Sequence, residues 1–157
     1  MSLDELLATR SAIIVKTDVR AAFTGFARYR LYDRGSYEWL DVPADDRLGT
    51  IVEAFCGERK RCVASRVLRL VPGDYVLARH DPVRERGTIE VVVDLSPAPV
   101  EGAEVQYRQH GQVFFRMPCE PGTAAVVPCG PTVTANHSYV SKLRTGGEVV
   151  RWIAVFA

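Results

Sequence analysis

At 157 residues the chain has room for one domain with a substantial core. Hydrophobic residues make up 47% and charged residues 25%, and the net charge is +1, so the charge balance gives no reason to expect nucleic acid or a membrane surface as partner. No apolar run approaches the roughly 18 residues of a membrane span, and the acidic start MSLDELLATR lacks the pattern of a signal peptide. A cytoplasmic protein is expected.

The first 60 residues read as mixed. The run SAIIVKT (11–17) is strand-like. Val19, Ala22, Phe23 and Phe26 then fall at helical spacing, with Thr17 placed to cap them. RYRLYD (28–33) and YEWLDV (37–42) predict strands around a turn at Arg34-Gly35-Ser36. A second helical stripe runs through Leu48, Ile51, Val52 and Phe55. Asp45 and Asp46 suit its N-terminal dipole end and Gly57 its stop.

After residue 60 strand patterns follow one another: 62–71, 75–80, 88–95, 103–108, 112–116, 123–128, 133–142 and 148–156. In TIEVVVDL, Ile89, Val91, Val93 and Leu95 share one face. His110-Gly111 marks a hairpin tip, and His110 is given no further role. Many short strands at close spacing mean a sandwich or a jelly roll. The expectation is a single domain, 1–157, with a helical or mixed front end (1–60) packed outside a mainly β body (61–157). Cys56, Cys62, Cys119 and Cys129 lack the CxxC spacing of zinc or redox motifs, so reduced, partly buried thiols are expected ahead of a structural zinc site.

Three features carry possible chemistry. Arg151 lies inside EVVRWIAVF, whose two alternating faces are both apolar. A guanidinium there needs a carboxylate to offset desolvation, either from the protein or from a ligand. The adjacent pair His80-Asp81 follows a strand-like run and precedes Pro82, and His137 lies in TANHSYV. Two imidazoles and a carboxylate are the ligand set of a facial triad for Fe(II). The competing reading is two solvated loop histidines and an internally paired arginine.

From about residue 62 onward the chain resembles the double-stranded β-helix of the iron- and 2-oxoglutarate-dependent oxygenases. VLRLVPGDYVLARHD is similar to that family's strand, turn, strand and iron-binding segment. TIEVVVDLSP looks like its next long strand, PGTAAVVP and ANHSYV resemble the approach to the distal histidine, and GGEVVRWIAVF looks like the last strand. The resemblance implies Fe(II) held by His80, Asp81 and His137, with 2-oxoglutarate as co-substrate clamped by Arg151. Tyr75, on the strand entering the site, would add a hydrogen bond to the co-substrate. An oxygenase of hydroxylase type, acting on a small molecule or peptide, follows as the expectation.

The sequence departs from the family at two places: Arg151 lies 14 residues after His137, a little farther than is usual in the family, and the first ligand pair differs. The family's pair is His-x-Asp, whereas His80 and Asp81 are adjacent, so the backbone must turn for both to reach one metal. Read in register, Arg79 falls at the histidine position, which would leave the site incomplete. The cupins are a second resemblance, through GTAAVVPCG (122–130). They imply a metal protein or small-molecule binder that does not use 2-oxoglutarate, and a metal-free β-helix binding module is the third possibility.

Overall fold

The computed structural model describes residues 11–143 and 147–157. Residues 1–10 and 144–146 lie outside them. Among the described residues, eleven strands and one α-helix follow in chain order: β1 (Ile13–Lys16), β2 (Ala27–Leu31), β3 (Gly35–Asp41), α1 (Asp46–Cys56), β4 (Cys62–Leu70) and β5 (Tyr75–Val76). After a 3-10 turn (Ala78–His80) come β6 (Thr88–Asp94), β7 (Val100–Gln109), β8 (Gln112–Cys119), β9 (Thr123–Cys129), β10 (Val133–His137) and β11 (Val149–Phe156). All pairings are antiparallel, in the order β1-β9-β6-β11-β4-β3-β5-β10-β7-β8, with β2 on β3. This is a jelly roll, folded as a double-stranded β-helix.

β3 joins the two layers. Its second half pairs with β4 and its first two residues pair with β5. The approach is so close that a Cβ on Gly35 would stand 2.8 Å from the Tyr75 carbonyl oxygen. The outer face of the layer β9-β6-β11-β4 is covered by α1. Leu48, Val52 and Phe55 pack there with Ile89, Val91, Val93, Ala154 and Phe156. The inner face buries Val92, Ala125 and Val127 against Val105, Tyr107 and Met117 of the opposite layer. β6 is buried along its whole length, so its alternation separates two apolar environments rather than core from solvent.

The helix begins where the sequence places it. The Asp45 side chain accepts from the Arg47 backbone N–H at 2.8 Å, and Gly57 closes the helix at φ 79°. The other expected helix is absent: residues 17–26 have no regular structure. Thr17 Oγ1 does accept from the Val19 N–H at 3.2 Å, but the turn it caps is not continued, and Gly25 leaves it at φ 90°. Val19 is buried, and Phe23 meets Trp152 edge-on at 5.4 Å. Phe23 and Phe26 are half-buried against the sheet, while Ala22 is exposed, so the helical spacing is met by an irregular chain draped over the sheet.

Two strands are shorter than expected. The run 75–80 pairs only through Tyr75 and Val76 before the 3-10 turn, and 133–142 stops at His137. The turn before β3 falls at 32–34, slightly earlier than the sequence indicated. All four cysteines are free. No helix among the described residues is long and apolar enough to cross a membrane.

Candidate functional site

A cavity of about 900 Å³ opens into the barrel, and His80, Asp81 and His137 all line it. Ile153 and Val155 form part of its wall. Arg151 shares their face of β11 one step deeper, fully buried behind the wall and not itself lining the cavity, with its Nη1 on His137, which does.

The chain does turn at His80-Asp81. His80 ends the 3-10 turn, and the Asp81 N–H donates to the Ala78 carbonyl at 3.1 Å. The turn nonetheless sends the two side chains to different partners. His80 stacks on Tyr29 at 4.7 Å, and its Nε2 lies 2.5 Å from the Tyr37 hydroxyl. Burial holds His80 below the ordinary imidazole range, and the charges of Arg34 and Arg66 add to the effect.

Asp81 is engaged by protein. Oδ2 accepts from the Ala135 N–H at 2.7 Å and also from Arg84, while Oδ1 accepts from Arg84 Nη2 at 3.2 Å. Burial raises the Asp81 carboxyl, and Arg84 opposes that rise. Arg84 in turn donates from Nε to Glu90 Oε1 at 3.1 Å and from Nη1 to the Val133 carbonyl at 3.4 Å. Glu90 also accepts from the Tyr107 hydroxyl. This Asp81–Arg84–Glu90–Tyr107 network is the most heavily bonded part of the cavity wall.

His137 and Arg151 form a second unit. Arg151 Nη1 lies 3.0 Å from His137 Nδ1, and Nη2 donates to the Ala103 carbonyl at 3.1 Å. A guanidinium can only donate, so Nδ1 accepts and the neutral ring carries its proton on Nε2. Burial, followed by the charges of Arg151 and Arg84, holds His137 well below the ordinary imidazole range. Arg151 Nε has no hydrogen-bond partner among the described residues. Asp94 lies opposite Arg151 in the β6–β11 register. Its carboxylate accepts instead from the backbone N–H groups of Ser96 at 2.9 Å and Glu120 at 2.7 Å. Among the described residues no carboxylate forms an ion pair with Arg151.

Tyr75 stands apart. Its hydroxyl donates to the Tyr32 carbonyl at 3.0 Å near the surface, and it does not line the cavity. The hydrogen bond to a co-substrate expected of it has no geometric support.

No protein-family model matches the chain, and no curated protein matches it in sequence. Solved structures do resemble it. A prolyl-4-hydroxylase from Pseudomonas putida superposes with a TM-score of 0.64 at 12% identity, covering 98% of this chain and 96% of that one. An oxidoreductase of the 2OG-Fe(II) oxygenase family from Burkholderia pseudomallei gives 0.65 at 12% identity, with 99% and 89% covered. The non-heme alpha-ketoglutarate-dependent epimerase SnoN of nogalamycin biosynthesis gives 0.60 at 16% identity, with 99% and 82% covered.

The fold is that of the 2OG-Fe(II) oxygenases. The donor set on this oxygenase fold does not fit a bound iron. Among the described residues no group of three or more His, Cys, Asp or Glu side chains is arranged to hold a metal ion. The Asp81 carboxylate is taken by a guanidinium, and Nε2 of His137 bears a proton rather than a lone pair.

The sequence marked Arg151 as needing a partner, but it did not mark Arg84, Glu90 or Tyr107. Glu90 carried the same signal as Arg151: an ionisable residue inside a short apolar strand. Alternation places it on the face opposite Ile89, Val91 and Val93, and a single strand does not show whether that second face is buried.

Proposed function

We propose that the chain is a small-carboxylate-binding protein on the oxygenase fold. Its ligand is a dicarboxylic acid of the size of 2-oxoglutarate, held in the barrel cavity with Arg151 as anchor. One observation carries this: a fully buried guanidinium whose Nε has no partner, and to which no carboxylate is bonded, among the described residues. A buried cation in that state is costly, and a ligand carboxylate would supply the missing charge and acceptor. The Nε2 proton of His137, on the cavity wall, adds a second donor for the same anion.

The test is a melting curve with and without millimolar 2-oxoglutarate in the presence of a chelator, for wild type, Arg151→Lys and Arg151→Met. Wild type should be stabilised by the ligand. The lysine variant should need more ligand, because a point charge cannot reproduce the guanidinium fork. The methionine variant should lose the response, a loss of about 2–5 kcal/mol of binding. Without ligand it should match or exceed wild type in stability, because an uncompensated buried charge has been replaced by packing. A wild type unmoved by 2-oxoglutarate and by other small dicarboxylates sinks the proposal.

A second reading is an Fe(II)- and 2-oxoglutarate-dependent oxygenase acting on a small molecule or peptide. One observation favours it: His80, Asp81 and His137 line the same cavity. It requires Asp81 to leave Arg84 and the His137 proton to move to Nδ1. Fe(II)-dependent release of succinate from 2-oxoglutarate is its signature, and the first reading expects none.

A further inference from the structure

We infer that Arg84 is the resident cation of this cavity and excludes a divalent metal from it. The chain carries two acidic side chains into the wall, Asp81 from the turn after β5 and Glu90 from β6. Both are largely buried, with side-chain exposures of 13% and 4%. Arg84, itself 7% exposed, lies between them. It meets Asp81 through both terminal nitrogens and Glu90 through Nε at 3.1 Å and Nη2 at 3.0 Å. Nη2 also reaches Glu90 Oε2 at 3.3 Å, and a bond from Nη1 to the Val133 carbonyl at 3.4 Å ties Arg84 to β10. β10 also supplies the Ala135 N–H to Asp81, and it ends in His137.

Charge decides what this arrangement does. Two buried carboxylates carry two negative charges, and one guanidinium compensates one of them. The Tyr107 hydroxyl and the Ala135 N–H spread the remainder by hydrogen bonding. A divalent cation would neutralise the pair completely, yet it cannot approach while the Nε, Nη1 and Nη2 donors of Arg84 point at the same oxygens. Removing Arg84 leaves the two carboxylates uncompensated in a low-dielectric wall. They must then take up a proton or a cation, and oxygen donors of this kind favour Mn2+.

The inference goes beyond the carboxylate-binding reading and does not depend on what Arg151 binds. The experiment is titration with Mn2+, read calorimetrically and by electron paramagnetic resonance, for wild type, Arg84→Ala, Arg84→Lys and the double variant Arg84→Ala/Glu90→Gln. Wild type and Arg84→Lys should show no saturable site at millimolar Mn2+. Arg84→Ala should gain a single site, tighter than any wild-type binding by about tenfold or more. The double variant should lose it. The wild-type titration is decisive even where Arg84→Ala does not fold. Stoichiometric Mn2+ or Fe(II) binding by wild type overturns the inference and supports the oxygenase reading, while the melting response to 2-oxoglutarate still stands or falls separately. A folded Arg84→Ala variant that gains no site also overturns it.

Discussion

His137 is kept neutral in the folded chain by burial and by the guanidinium on its Nδ1. Below about pH 6.5 the unfolded chain therefore binds a proton that the folded chain refuses. The stability tied to this group is complete above that pH and is lost as the pH falls towards the depressed folded value. His80, also lowered by burial, acts in the same direction. Urea unfolding between about pH 7.5 and 5.5 should show the free energy falling with acid, and His137→Asn should flatten the slope by up to about 1.4 kcal/mol per pH unit. An unchanged slope would mean that His137 is free to protonate in the fold. Arg151 was legible as a residue in need of a partner because both faces of its strand are apolar. That its neighbours are an imidazole and a carbonyl was not legible, since His137 and Ala103 reach it only through the closure of the barrel.

At the scale of elements, α1 was readable because every local signal agrees: Asp45 at the cap, an apolar stripe and Gly57 beyond the end. Asp45→Ala should cost about 1 kcal/mol, the usual loss for an N-cap. Leu48→Ala should cost about 2–5 kcal/mol and Ile51→Ala less, because Leu48 is fully buried while Ile51 is only half-buried. Equal losses at the two positions would contradict the orientation of the helix on β6 and β11. The stretch 17–26 carried the same apolar spacing without a first turn that propagates. A broad sheet face can bury such residues from an irregular chain as well as from a helix.

At the scale of the molecule most of the pairings are non-local, the β2–β3 and β7–β8 hairpins apart. Ile13 of β1 lies opposite Val126 of β9, and Gly35 of β3 opposite Val76 of β5. Loop closure must precede most of the favourable contacts, so refolding is expected in the millisecond-to-second range of all-β domains rather than in microseconds. Stopped-flow dilution from urea checks this, and a microsecond phase of full amplitude would contradict it. The same non-local closure builds the cavity, whose walls come from β3, β4, β6, β10, β11 and the turn after β5.

By itself the sequence determined the mainly β body, the outer helix and the ionisable residues that stand out against apolar strands, because these follow from short-range periodicity and desolvation. It placed His80, Asp81 and His137 at one cavity through resemblance. Only the tertiary structure decided where their lone pairs and charges go. Asp81 meets Arg84 three residues away because the chain folds back before β6, and His137 meets Arg151 because β10 and β11 close the barrel from opposite layers. Whether two side chains share a bond depends on distances of a few ångströms across strands far apart in the chain, and no periodicity along a single strand encodes them.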